Sequence, residues 1–300
     1  MGRNAAWNPG EFGFSDIAPM DSVTFVVVFD TKGFEDAPRL GLLTLNEDGV
    51  ESLIGFEGVD WKDPRERASD LESLCAVPAR PGEYLVLESG SWEGRPGRVF
   101  HLKVSKKEAR VLGAADIPIL APNAPGQTGD QYEGLACTAA EETDILLVLG
   151  ERGGSDPFPS GVLRWGRFDL ETHAFRWSPG GSRGRSVRAP GRWPESGNRR
   201  DITGLFLDRE DRLWASAALD GGDEGPFRSV VFMVATVDAS SPDPITLLPD
   251  PAVGWEVGEH KIEGMTSAPS YSGTGFRILA ASEDESFGGG VRVLGPGGGT

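Results

Sequence analysis

Three features of the chain predict an all-β, five-bladed β-propeller built of four-stranded antiparallel blades. The stretch at 131–137 (QYEGLAC) recurs at 70–75 (DLESLC), 201–206 (DITGLF) and 261–265 (KIEGM), with a faded copy at 14–18 (FSDIA). Aligned on the glutamate, the copies fall at Ser15, Glu72, Glu133, Thr203 and Glu263, at intervals of 57, 61, 70 and 60 residues. That spacing is too long for helical-repeat arrays. A turn and then an apolar run follow each copy, every run ends in an acidic residue, and 42 Gly with 22 Pro supply the turns.

The elements are placed in chain order. The repeats lie near 14–55, 70–112, 131–177, 201–248 and 261–294, and together make one domain over 1–300. Each has short runs rich in Val, Leu, Ile or Phe that stop at Asn, Asp or Gly. The fifth repeat lacks a fourth strand. Because a propeller must close its ring or leave an edge open, residues 3–7 (RNAAW) are expected to supply that strand by pairing with 291–294. No long amphipathic helix is expected.

Composition narrows the function. The net charge of −17 argues against nucleic acid as a partner, and no apolar run is long enough to span a membrane. Cys75 lies three residues after its motif glutamate and Cys137 four after, which is opposite strand parity. Both are therefore read as buried free thiols in a reducing, cytoplasmic setting, with export behind a removed leader as the alternative, and a monomer is expected.

Loop lengths define a working face. The connections leaving the second and fourth strand of each repeat are long and those leaving the first and third are short, so alternating strand direction puts all the long ones on one face. The motif positions and the acidic ends of the second strands, Asp30, Glu88, Glu151, Asp220 and Glu283, lie on that face. Carboxylates converging on a channel mouth repel unless a cation lies between them. Glu72, Glu133 and Glu263, aided by Glu88, Glu151, Asp220, Asp30 and Glu283, are thus expected to hold a hard divalent cation such as calcium, with the tract 282–286 (SEDES) as a weaker candidate. Among the histidines, His260 alone stands at this face as a candidate general base.

The repeated D-x-E-G-hydrophobic motif, carried by Asp70-Leu71-Glu72, Tyr132-Glu133-Gly134-Leu135, Asp201-Ile202-Thr203-Gly204-Leu205 and Ile262-Glu263-Gly264-Met265 with Glu88 and Glu151 downstream, resembles the phytase-like propellers. These are the family of "esterase-like activity of phytase" together with the SdiA-regulated propellers. The resemblance implies a calcium-dependent acidic centre and action on a small ester or phosphoester; Thr203 and Ser73 depart from its usual Glu and Gly. A non-catalytic module binding a ligand or protein at the same face is the alternative. The loop at 178–200 carries six arginines and one glutamate. Arg183, Arg185 and Arg188 in it, with Arg152, are expected to clamp a small anionic ligand. Trp61, Trp92, Trp193 and Trp255 fall in long loops and suggest a contact surface there.

Overall fold

The computed structural model describes residues 4–6, 12–31, 38–62, 69–90, 95–120, 129–193, 198–273 and 275–295. Five antiparallel sheets stand around a central channel. Blade one runs outward from the axis as β2 (Asp16–Pro19), β3 (Thr24–Val28), β4 (Leu40–Asn46) and β5 (Gly49–Phe56), with β1 (Asn4–Ala6) as a fifth strand on its outer edge. Blade two is β6 (Leu71–Ala76), β7 (Glu83–Glu88), β8 (Arg98–Val104) and β9 (Ala109–Asp116). Blade three is β10 (Tyr132–Ala139), β11 (Asp144–Glu151) and β12 (Gly161–Asp169), then β13 (Ala174–Trp177) and β14 (Arg185–Val187). Blade four is β15 (Arg199–Leu207), β16 (Arg212–Leu219) and β17 (Arg228–Val237), then β18 (Ile245–Leu247) and β19 (Val253–Gly258). Blade five has three strands among the described residues: β20 (Ile262–Ser267), β21 (Ile278–Glu283) and β22 (Gly289–Leu294).

The core lies in the joints between blades. Each of five clusters of buried apolar residues draws on two adjacent blades, as when Val26, Val28 and Leu42 meet Leu74, Val86 and Phe100. Sheets covered on both faces need second strands that are apolar at every position, and β11 (DILLVLGE) is buried throughout. In blades three and four the outermost strand is split. β13 pairs with the end of β12 and β14 with its beginning, just as β18 and β19 share β17.

Closure differs from the expectation. β1 pairs with β5, Asn4 opposite Phe56 and Ala6 opposite Ile54, so the N-terminal strand extends blade one and leaves β22 alone; Arg3 and Trp7 of the expected strand lie outside the described residues. Face packing closes the ring instead: Phe14, Ile17, Phe25 and Val27 of blade one bury Leu279 and Ala281 of blade five. A sheet joint that buries this much apolar surface needs no exchanged strand.

The repeat glycine has a steric cause. A Cβ on Gly204 would lie 1.7 Å from the Glu263 carbonyl oxygen, one on Gly134 2.6 Å from Leu205 Cγ, and one on Gly264 2.8 Å from Asp16 Cα. Inner strands of neighbouring blades touch there. Blades one and two carry Asp16 and Ser73 at the same position, and both form hydrogen-bonded links. Asp16 Oδ1 accepts from Ile17 N at 2.7 Å and Met265 N of blade five at 3.3 Å. Asp16 Oδ2 accepts from Ser73 Oγ at 2.5 Å and Leu74 N of blade two at 2.8 Å. Ser73 Oγ accepts in turn from Leu135 N of blade three at 2.8 Å.

Cys75 and Cys137 are joined in a disulfide with Cα atoms 6.0 Å apart, which corrects the reading as free thiols. Parity was the wrong test, because β6 and β10 belong to different sheets. Side chains that meet across a joint come from opposite faces of their blades, so opposite parity is what a bridge requires. The cytoplasmic expectation rested on free thiols and loses that support. No described helix is long and apolar enough to cross a membrane.

Candidate functional site

The inner strands of blades two, three and five each carry a β-bulge at the motif glutamate. Leu71 pairs with Glu88 and Ser73 with Leu87, leaving Glu72 as the extra residue. Glu133 is extra between Tyr132 and Gly134, and Glu263 between Ile262 and Gly264. A bulge takes a residue out of the ladder and re-aims its side chain. The three carboxylates thereby come close enough to feel one another electrostatically at the channel.

Their surroundings differ. Glu72 has no hydrogen bond or ion pair with any described residue. Burial, then the charges of Glu133, Glu263, Asp30 and Asp70, push its carboxyl well above the ordinary range. Glu133 is raised by burial to about 7, with Arg152 and Lys261 pulling the other way. Arg152 Nε lies 3.6 Å from Glu133 Oε1, and its Nη2 lies 3.9 Å from Asp130 Oδ1. Glu263 is raised by burial against the pull of Lys261, whose Nζ stands 3.1 Å from Glu263 Oε1, 2.7 Å from Glu283 Oε2 and 2.5 Å from Glu285 Oε1. Burial disfavours charge on Lys261, but Glu263 and Glu283 outweigh it and keep the lysine protonated. At the blade-four position Thr203 Oγ1 donates to Ile262 O at 2.6 Å and makes no charge.

The second acidic ring is largely committed to ion pairs. Glu88 Oε1 accepts from Arg39 Nη2 at 2.8 Å and from Ser69 N at 3.0 Å, while its Oε2 accepts from Arg98 Nε at 2.5 Å. Glu151 holds Arg164 through two bonds, at 2.6 and 2.9 Å. Asp220 lies 3.7 Å from Arg200 Nε, and Glu283 is held by Lys261. Asp30 is exposed but contributes to the field at Glu72. Glu88 and Glu151 therefore fix their blades, and Glu72, Glu133 and Glu263 remain as the channel group. Among the described residues no three His, Cys, Asp or Glu side chains are placed to hold one metal ion. The donor set around the channel does not match the calcium centre that the resemblance implies, since Arg152 and Lys261 supply positive charge where a metal would. The SEDES tract serves the same network, Glu283 and Glu285 on Lys261 and Asp284 on His260.

His260 is oriented rather than isolated. Its Nδ1 is 2.8 Å from Asp284 Oδ2, and it lines a cavity of about 470 Å³ with Phe227 and Phe287, beside the blade-five end of the channel. Ser282 Oγ also bonds Asp284 Oδ2, at 2.8 Å, so this hydroxyl is spent on the carboxylate.

The described part of the arginine loop that carries Arg183, Arg185 and Arg188 stands at the outer edge of blade three. Residues 178–184 form the turn that splits the outer strand, and Arg185 opens β14, where its Nη2 meets Asp243 Oδ2 at 2.5 Å. Arg183 and Arg188 are exposed on either side of it. That outer position is three strand spacings, about 14 Å, from the inner strand. Gly180 and Gly184, at φ +73° and +68°, make the turn that returns the chain to the sheet; residues 194–197 lie outside the described residues. Arg152 reaches the channel, where it faces Glu133 and Asp130. Lys261 and Arg200 were missed as site residues, although Lys261 stands two positions before Glu263, on the same side of the strand. The described tryptophans are packed against neighbours: Trp61 is buried against Phe100 under Arg39, Trp193 lies under Arg228, and Trp255 packs with Trp214 and Phe276. Trp92 lies outside the described residues.

No protein-family model and no curated protein matches the chain. Solved structures share the fold. An endo-arabinase from Bacteroides thetaiotaomicron VPI-5482 superposes with a TM-score of 0.53 at 10% identity, covering 99% of each chain. A GH130-family structure, whose family contains glycoside hydrolases that target β-1,2 mannosidic linkages in Candida mannan, gives 0.52 at 14%, covering 97% of this chain and 86% of the other. A glycosyl hydrolase from Bacteroides ovatus gives 0.52 at 13%, covering 97% and 86%. At such identities the likeness shows the five-bladed propeller and nothing finer. The class is thus a five-bladed β-propeller whose structural neighbours include glycoside hydrolases. The phytase-like resemblance retains the propeller alone.

Proposed function

We propose that the protein is a hydrolase of glycosidic linkages that works through Glu72 and Glu133 at the channel. The carrying observation is the contrast in their surroundings: Glu72 has no hydrogen bond or ion pair with a described residue, and burial and the neighbouring acids dominate it, whereas Arg152 stands 3.6 Å from Glu133, whose carboxyl is raised to about 7. Paired carboxyls in unlike environments divide into proton donor and proton acceptor. Glu72, protonated, gives its proton to the leaving glycosidic oxygen. Glu133, ionised, takes a proton from the water that attacks the anomeric carbon as the carbon–oxygen bond breaks. Arg152 holds Glu133 in place, and Lys261 fixes Glu263 beside them.

The substrate class follows from charge. Asp30, Asp70, Asp130, Asp220 and the channel glutamates outnumber Arg152, Arg200 and Lys261, so a neutral, hydroxyl-rich ligand is favoured over an anion. The names of the structural neighbours, an endo-arabinase and mannoside-directed hydrolases, support the same class. A metal-dependent ester hydrolase and a non-catalytic ligand-binding propeller are competing readings of this site, and one assay separates all three.

Wild-type protein is incubated with aryl glycosides, arabinan and mannan, and in parallel with aryl esters and phosphates, each with and without a chelator. The expected result is glycoside cleavage that survives chelation and falls about 100-fold or more in Glu72→Gln, the usual scale for losing a positioned acid. Chelator-sensitive ester cleavage without glycoside cleavage would overturn the proposal in favour of metal chemistry. Saturable oligosaccharide binding with no turnover would leave a binding module.

A further inference from the structure

A second cavity lies at the opposite end of the channel from the glutamates. It measures about 720 Å³ and is lined by the far ends of the inner strands of all five blades. Ile17, Phe25, Leu74, Leu135, Leu205 and Met265 make its walls apolar, and the Cys75–Cys137 bridge forms part of one side. The size lies within the range of about 300–1,000 Å³ typical of small-molecule sites.

Its rim carries a charge imbalance. Asp208 and Glu210 are neutralised by Arg212, at 2.6 and 3.0 Å, and Asp21 by Lys106 at 3.0 Å. Arg209 and Arg277 line the same cavity and pair with no described residue. Arg277 Nε is buried without a hydrogen-bond partner. A Cβ on Gly295 would lie 2.6 Å from Arg277 Nη1 and one on Gly273 3.3 Å from Nη2, so two residues without side chains leave the guanidinium its room. Leaving a buried donor unmet is costly, more so when it belongs to a charged group. In a chain of net charge −17, two unmatched arginines at one apolar cavity stand against the prevailing sign.

We propose that this cavity binds an amphipathic carboxylate, its apolar body in the channel mouth and its carboxylate on Arg277, with Arg209 adding long-range attraction. An acyl chain or a flat ring system fits the walls. A guanidinium and a carboxylate form charge-assisted, often bidentate bonds, which a neutral head group cannot reproduce. The site is separate from the glutamate centre and does not depend on its assignment.

Titration calorimetry with decanoate and with decanol as the uncharged counterpart tests it. The wild type is expected to bind one decanoate saturably and decanol at least tenfold more weakly. Arg277→Gln should weaken decanoate about tenfold and leave decanol unchanged, and Ala76→Phe, which fills the cavity wall, should weaken both. Melting curves check that each variant folds. If Arg277→Gln does not, Arg209→Gln provides the second reading, with a smaller loss of decanoate binding that vanishes at high salt. No saturable decanoate binding, equal binding of decanol, or full affinity in the folded arginine variants would overturn the proposal.

Discussion

Glu133 and Asp16 show how much a single position depends on its surroundings. Asp16 is fully buried, and burial raises it from 3.8 to about 7 despite the bonds from Ser73, Leu74, Ile17 and Met265; Glu133 rises from 4.5 to about 7. In both cases the folded value lies above the unfolded one. Between about pH 4 and 7 the unfolded chain gives up these protons and the folded protein keeps them. Their contribution to stability is therefore full below pH 4, falls as pH rises to about 7, and is flat beyond. Urea unfolding at stepped pH should show that decline, and Glu133→Gln should flatten it. A profile unchanged by Glu133→Gln would mean the group titrates normally. If the proposed glycoside cleavage uses Glu133 as base, the same ionisation should appear in its pH dependence, as a rising limb of kcat/KM near pH 7. Asp16→Ala should cost more than an ordinary surface change, about 3–5 kcal/mol, because Leu74 N, Met265 N and the Ser73 hydroxyl lose their acceptor together.

At the level of the element, the bulges in β6, β10 and β20 convert a repeated sequence into a site. The D-x-E-G pattern supplies a glutamate where the ladder skips a residue and a glycine where the next blade presses in. β1 is a different kind of element, a three-residue strand on the outside of blade one. Removing residues 1–8 takes away the β1–β5 pairing, while the described packing between blades five and one is made by residues from Phe12 onward. The melting temperature should fall by a few degrees at most, since net hydrogen bonds contribute about 1 kcal/mol each. A large drop would mean that the N-terminal segment does more to hold the ring than its pairing with β5 accounts for.

Across the whole molecule, closure and cohesion come from the joints. Five apolar clusters, one per joint, carry the ring, and Cys75–Cys137 adds a covalent tie between blades two and three over a separation of 62 residues. Reduction of the pair, or Cys75→Ser with Cys137→Ser, should lower unfolding free energy by about 3–4 kcal/mol in denaturant titrations. Equal stability with and without reductant would show that the bridge does not form in solution.

The fold was legible in the sequence because a propeller repeats its physics. Each blade needs a doubly apolar second strand, a turn at either end and a close inner contact, so the pattern returns five times in 300 residues. Glu72, Glu133 and Glu263 were legible for the same reason, being the polar member of a repeated motif inside apolar strands. What the sequence could not determine is which partner each charge meets, whether on the next strand of its blade or, as with Arg39 on Glu88, across a joint. Glu88 and Glu151 look like Glu72 when read along the chain, yet strand pairing brings Arg98 and Arg164 onto them, and the return of the chain through β14 carries Arg185 away from the axis. The disulfide and the ring closure were decided in the same way. Within a blade, local alternation and turn chemistry set the structure; between blades, the rotation of one sheet against the next sets it, and only the folded ring contains that rotation.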